Sequence, residues 1–432
     1  MKKIIIILTF SPRHDNLLKN FSSLDQYTDY YKRNVGGLDY LDIDEPLKRI
    51  FFYKAEFQHV LSIETLKRTT EFEIEFWRPY HGIAKDYSKN VDGVLHRVFP
   101  GYKKKLPGMS SYIKSPLMND LLKEEIKKGN VLLSLAGPTK TTTELLLDIK
   151  PKTIPVLVNH RSGTLVYYHY KNANLSAKFN PIYLIEYFKE IYCFRKYIDI
   201  FQCTIRSIRE YIQNNNICRT VNLFDGIDYS YYQPAKDIEV LKRELGIDPD
   251  KKILLYVGRF YRDKDVDFLI RTYLNIKKKR NDIILLMVGG YKSDEFYQMG
   301  VDAGAIMVER IPQEILIKYH QIADIFISPV RNYIVKNFGG IGSAPIQSFA
   351  CGVPFISDNL IHFQGGEDEV NKVGRLLINE DEMIKNITYI IDNKSEFSNC
   401  REISRKYYDV DVCTQKLINI YNELFGQYYG KN

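Results

Sequence analysis

With 432 residues, 45% of them hydrophobic and 26% charged, the chain can bury two cores and has the balance of a soluble globular protein, not of a disordered one. No apolar run approaches the ~18 residues of a membrane-spanning helix. Cys193, Cys203, Cys218, Cys351, Cys400 and Cys413 form neither a Cys-x-x-Cys pair nor a metal-ligand spacing, so they read as reduced thiols of a cytoplasmic chain.

The net charge of +8 is unevenly placed: residues 1–235 hold 34 Lys/Arg against 25 Asp/Glu, and the remainder 27 against 28. Within the basic part, residues 85–180 hold 16 basic and 7 acidic side chains, including Lys103, Lys104 and Lys105. Such a stretch suits an anionic membrane surface or a phosphorylated acceptor, or it is a solvated face. Aromatics do not interleave with it as in an RNA-binding sheet, and no helix-turn-helix or zinc-finger spacing occurs, so no nucleic-acid partner is expected.

Met1-Lys2-Lys3 ahead of apolar residues 4–10 imitates a secretion signal. The apolar run is short, however, and Ser11-Pro12-Arg13-His14-Asp15 offers no small-residue cleavage site, so 4–10 reads as a buried first strand. Residues 49–54 and 59–63 read as short strands, and 73–78, alternating at period two, as a half-buried strand. Residues 101–107 read as a basic loop, 117–128 as a helix and 130–136 as a buried strand. After the Gly137-Pro138 turn come a threonine-capped helix at 141–149 and a strand at 154–158. This β-α-β unit implies a parallel sheet. His160 follows with Arg161-Ser162-Gly163 at the strand's C-terminal end, the edge where open α/β sheets place ligands.

A Tyr-rich helix at 181–197, a strand at 198–204, a helix at 206–213 and a strand at 219–223 lead to Asp225-Gly226-Ile227-Asp228. Periodicity breaks at Tyr231-Tyr232-Gln233-Pro234, where we place a linker. It restarts with helices at 241–245, 266–279 and 313–323, and strands at 253–257, 283–288 (ending in Gly289-Gly290), 325–329 and 354–356. Repeated β-α steps indicate a second doubly wound domain. Before the last strand, Gly339, Gly340 and Gly342 precede an apolar, helix-spaced run that Gly352 and Pro354 end. Glycines ahead of a helix N-terminus let backbone N–H groups and the helix dipole meet a phosphate; the alternative is a tight turn into a core helix.

Three motifs now stand in order. Leu255-Tyr-Val-Gly-Arg-Phe-Tyr-Arg-Asp-Lys-Asp-Val-Asp267 is a strand followed by Gly-Arg and by a Lys five residues on; Asp225-Gly-Ile-Asp228 with Pro234 leads into the linker; the Gly-rich loop and its helix end in Ala350-Cys-Gly-Val-Pro354. In these the chain resembles the GT-B glycosyltransferases of the large retaining family 4 (glycosyl transferases group 1), strongly over 225–421 and more weakly before. The resemblance implies an α/β fold of two Rossmann-like doubly wound domains facing a central cleft. Residues 1–233, completed by a C-terminal helix at about 411–432, would take the acceptor, and 234–410 the nucleotide-sugar donor.

It further implies transfer of a hexosyl unit from a UDP- or GDP-sugar to a sugar, glycan or lipid-linked acceptor, with retention of configuration, in the cytoplasm or at the membrane's cytoplasmic face. Arg259 and Lys264 would hold the diphosphate, the backbone of Gly339, Gly340, Ile341, Gly342 and Ser343 the distal phosphate, and Ile311 would wall in the base. His160 would hydrogen-bond the sugar and support the oxocarbenium charge through its backbone carbonyl. His14 is a poorer acceptor-site candidate, and Glu314 reads as an N-terminal helix acid. No Asp-x-Asp motif stands in a plausible site, so cationic side chains and amides are expected in place of a metal, with no cofactor. The chain departs from the family at its two motif glutamates, which fall on Gly339 and Gln347. A Gln carbonyl oxygen still accepts from ribose hydroxyls, whereas glycine offers the sugar only backbone. A weakened or inactive nucleotide- or sugar-binding scaffold is the alternative.

Overall fold

The computed structural model describes residues 1–8, 57–81, 83–91, 93–104, 112–160, 181–224, 226–260, 264–311, 313–330 and 340–430. His14, the strand read at 49–54, Lys105, Arg161-Ser162-Gly163, Asp225 and Gly339 lie outside them.

The four isoleucines of β1 (Lys2–Ile7) are all buried, and such a continuous apolar run belongs to a strand covered on both faces. β1 pairs in parallel with β2 (Phe72–His81) on one side and β6 (Val131–Leu135) on the other. β2 departs from the half-buried expectation because it is an interior strand. Its Glu75 is 3% exposed, meets Lys3 Nζ at 2.6 Å and accepts from Trp77 Nε1 at 2.6 Å, so the buried carboxyl group is paired. The remaining strands are β3 (Tyr87–Val91), β4 (Val94–Lys104), β5 (Tyr112–Lys114), β7 (Val156–His160), β8 (Ile200–Cys203) and β9 (Arg219–Val221). Their order is β3-β4-β2-β1-β6-β7-β8-β9, with β5 on β4. All pairs are parallel except β3–β4 and β4–β5.

Two local expectations are corrected. Residues 59–63 lie in the helix Phe57–Arg68. Residues 101–104 extend β4, where Lys103 and Lys104 stand opposite Ile113 and Tyr112 of β5. The helix Lys140–Ile149 starts from Thr139, whose Oγ1 accepts from the Thr142 N–H at 3.2 Å while Thr142 Oγ1 accepts from the Thr139 N–H at 3.3 Å. The helix Pro181–Tyr197 forms where the sequence places it. The six cysteines form no disulfide.

The chain divides into two compact units; the described residues up to Leu223 and from Thr414 form the first, and Phe224–Cys413 the second. The last helix, Val410–Tyr429, serves the first unit through ring contact of Phe425 with Phe72 and hydrogen bonds from Tyr428 to Asp199 and from Tyr429 to the Val131 carbonyl. In the second unit, β10 (Lys252–Val257), β11 (Ile283–Gly290), β12 (Ile306–Glu309), β13 (Ile325–Ile327), β14 (Phe355–Ile356) and β15 (Gly374–Arg375) are all parallel. Their order is β12-β11-β10-β13-β14-β15. Sheet growth therefore reverses direction between β10 and β13, the switch point at which open α/β sheets leave a crevice beyond their C-terminal edge. The helix Val266–Lys277 buries Val266, Leu269, Ile270, Tyr273 and Ile276, one stripe at helical spacing, against the core made by Leu254, Tyr256, Leu285 and Met287. Each such burial contributes about 1.5–3 kcal/mol.

Candidate functional site

The chain leaves β10 at Gly258-Arg259. Tyr256, 1% exposed, donates its hydroxyl to the Arg259 carbonyl at 3.0 Å, which fixes the turn while the Arg259 side chain stays exposed. Lys264 follows in a short turn, half-buried, ahead of the helix Val266–Lys277. Next to them β11 ends in two glycines, each required by close approach. Gly289 has φ +117°, and a Cβ there would stand 2.6 Å from the Gly258 oxygen; one on Gly290 would fall in the Phe260 ring.

On the other side of the switch point the chain leaves β13 at Ser328. Gly340 (φ +62°) and Gly342 (φ +81°) then bring it into the helix Ser343–Ala350. Gly342 is its N-cap, no side chain caps the first turn, and no acid occupies it. This is the arrangement of donors that a phosphate oxygen fits. Ile341 is buried and Ser343 half-buried.

Gln347, one turn along, donates Nε2 to the Tyr232 hydroxyl oxygen at 3.0 Å, and Gln313 reaches the same oxygen. With Nε2 so engaged, the Gln347 carbonyl oxygen points elsewhere. Ser348 bonds His320 Nδ1 at 2.7 Å, and Arg401 donates to the carbonyls of Tyr229 and Tyr232 at 2.7 Å each and to that of Ala350. The helix of the Gly-rich loop is thus anchored along its length to the helix Gln313–Ile322 and to the segment around Tyr232. Ile311, half-buried, precedes that helix at the same edge of the sheet. Arg259, Lys264, Gly340 to Ser343, Gln347 and Ile311 therefore share one sheet edge. His160 belongs to the first unit. It is the last residue of β7 and 3% exposed, with Nδ1 3.6 Å from Cys203 Sγ. Burial pushes the Cys203 thiol up to about 12, so it is an uncharged neighbour.

Sequence reasoning missed Tyr232, Arg401, Ser357 and Asn359. Tyr232 stood only as a linker residue, and the others carry no motif. Of the basic stretch, Lys114, Lys123, Lys127, Lys128 and Lys140 are paired with carboxylates, while Lys104 at the end of β4 is exposed.

His320, 0% exposed with Nε2 unpartnered among the described residues, is lowered to about 3 by burial. In the unfolded chain it takes a proton near 6.5, so between these values the unfolded state binds more protons. The stability this residue contributes is complete above pH 6.5 and falls as pH drops toward 3, by about 1.4 kcal/mol per unit. His320→Asn should flatten the acid limb of a urea-denaturation series by that slope; an unchanged limb would contradict the assignment.

Solved structures share this architecture across nearly the whole chain. A sucrose-phosphate synthase from Thermosynechococcus elongatus superposes with TM-score 0.62 at 15% identity, covering 99% of this chain and 100% of that one. HepE of Anabaena in complex with UDP superposes with TM-score 0.61 at 12% identity, covering 98% and 100%. At such identities the likeness establishes the fold alone, which is GT-B. Residues 237–407, most of the second unit, match the family model Glycosyl transferases group 1.

Among curated relatives, a GDP-mannose-dependent alpha-(1-6)-phosphatidylinositol monomannoside mannosyltransferase of Mycolicibacterium smegmatis is 28% identical over 138 residues, 31% of this chain and 36% of that one. A D-inositol 3-phosphate glycosyltransferase of Thermobifida fusca is 26% identical over 153 residues, 32% and 34%. The chain thus spans about a third of the length of these two relatives. Among the described residues no helix is long and apolar enough to cross a membrane.

Proposed function

We propose that the chain transfers a hexosyl unit from a nucleotide-diphosphate sugar to a sugar, glycan or lipid-linked acceptor, with retention of anomeric configuration. The observation that carries this is the strand order of the second unit, which sets Gly258-Arg259, after β10, and the Gly-rich helix start, after β13, on the two strands flanking one switch point. As the glycosidic bond to phosphate breaks, negative charge grows on the leaving oxygens. Arg259 offers a planar fork, Lys264 a point charge, and the amides from Gly340 to Ser343 fixed dipoles, so stabilisation is in place before the charge develops. Gln347 accepts from a ribose hydroxyl through its carbonyl oxygen, and Ile311 walls in the base. The sugar, lacking an acid at Gly339, is held by the backbone of Gly340 and Ile341.

The reaction is proposed to be metal-independent. What supports this is the cationic and amide donor set, which can meet the charge on the leaving phosphate. Where the acceptor is lipid-linked, Lys103 and Lys104 at the end of β4 would meet an anionic membrane surface at its cytoplasmic face.

A thermal-shift screen with UDP, GDP, ADP and their sugars tests the reading. A donor present at 100 times its Kd should stabilise by about 2.7 kcal/mol, with EDTA changing neither the shift nor turnover, and the product should keep the donor's anomeric configuration. No shift with any of them would overturn the donor site. A shift without turnover on any acceptor would favour the scaffold, and an EDTA-sensitive reaction would overturn metal independence.

A further inference from the structure

The Gly-rich loop is gripped at both ends by one short segment. Ser357, just after β14, donates its hydroxyl to the Ser328 carbonyl at 2.6 Å, where the chain leaves β13. Asn359, two residues on, donates Nδ2 to the Gly340 carbonyl at 2.7 Å, immediately ahead of the helix Ser343–Ala350. The Asn359 N–H in turn donates to Ser357 Oγ at 3.0 Å, which joins the two grips. Asn359 is 6% exposed, and its Oδ1 is buried without a partner among the described residues. A buried acceptor left unpaired is a desolvation cost that stability alone gives no reason to keep.

What Asn359 does to the loop follows from the geometry of the peptide bond. No described peptide bond is cis, and a trans unit holds its C=O and N–H antiparallel. Drawing the Gly340 carbonyl onto Asn359 therefore turns the Ile341 N–H the opposite way. Gly340 tolerates this because it has φ +62°. Backbone hydrogen bonds elsewhere in the loop supply no acceptor for that N–H among the described residues. That donor lies one residue ahead of Gly342, the N-cap at the uncapped start of the helix.

We propose that Asn359 is the positioning residue of the phosphate loop, aiming the Ile341 N–H at the distal phosphate of a nucleoside diphosphate by holding the Gly340 carbonyl behind it. The inference rests on the donor-site reading above. It assigns Asn359 no contact with the ligand, so its effect falls on the distal phosphate and not on the base or ribose.

The test compares nucleoside di- and monophosphates by calorimetry, UDP with UMP and GDP with GMP, on wild type, Asn359→Leu and Asn359→Asp. Leucine keeps the volume and removes both the donor and the unpaired acceptor. Its melting temperature should stay within about 3 °C of wild type, with diphosphate affinity about tenfold lower and monophosphate affinity unchanged. Aspartate, which sets a carboxylate against the Gly340 oxygen, should lower the diphosphate affinity further if it folds. A purely structural role would instead lower both affinities together with the melting temperature. A wild-type preference for the diphosphate that survives intact in Asn359→Leu would overturn this inference alone; a wild type with no such preference would overturn the donor reading as well.

Discussion

Replacing Arg259 or Lys264 by alanine should weaken nucleoside diphosphate binding about ten- to hundredfold, the fold-change for losing one charge-assisted hydrogen bond of roughly 1.5–3 kcal/mol. The fold should survive. The Arg259 side chain is exposed, and its turn is held through its backbone carbonyl by the buried Tyr256 hydroxyl, which truncation leaves in place. The two residues should differ in how they are rescued. If Arg259 grips two phosphate oxygens, Arg259→Lys restores the charge but not the fork, so most of the loss should remain. Lys264 acts as a point charge, so Lys264→Arg should recover much of it. Calorimetry that finds wild-type affinity in both alanine variants would remove the basis for placing the donor at this edge.

Gly289→Ala should destabilise the second unit by about 2–4 kcal/mol, combining a backbone conformation closed to L-residues with overpacking. Gly289 has φ +117°, and its Cβ would meet the Gly258 oxygen at 2.6 Å, which is backbone and cannot swing aside. Because Gly258 carries Arg259 beside it, the same substitution should weaken diphosphate binding. Gly246→Ala is the control. It also has positive φ, +70°, but nothing lies within 4 Å of its Cβ, so only the left-handed strain of about 1–2 kcal/mol should appear. Chemical denaturation measures both. Equal losses would mean that the contact between the ends of β10 and β11 yields without cost.

Much of the fold was legible because its signals are local. The buried isoleucines of β1, the threonine cap at Thr139 and the stripe on the helix Val266–Lys277 are read within a few residues, and the structure has them. The errors lie where a distant neighbour decides. Residues 59–63 carry no clear period and join a helix, and residues 101–104 read as a loop by their charge yet pair with β5. The alternation in β2 suggested one wet face, whereas Lys3 from the adjacent strand makes Glu75 tolerable inside.

The sequence by itself determined the class of the second domain and the residue types at its candidate site, because Gly-Arg, the later Lys and the Gly-rich helix start are short motifs whose chemistry depends on neighbours in the chain. Only the tertiary structure decided which of these share an edge, since strand order is set by pairing between residues some 70 apart, as when Leu254 of β10 pairs with Ile325 of β13. It also decided how the loop is supported. The partners of Gly340 and Gln347 are Asn359 and Tyr232, 19 and 115 residues away, and a single hydrogen bond across such a distance leaves no period or spacing to read.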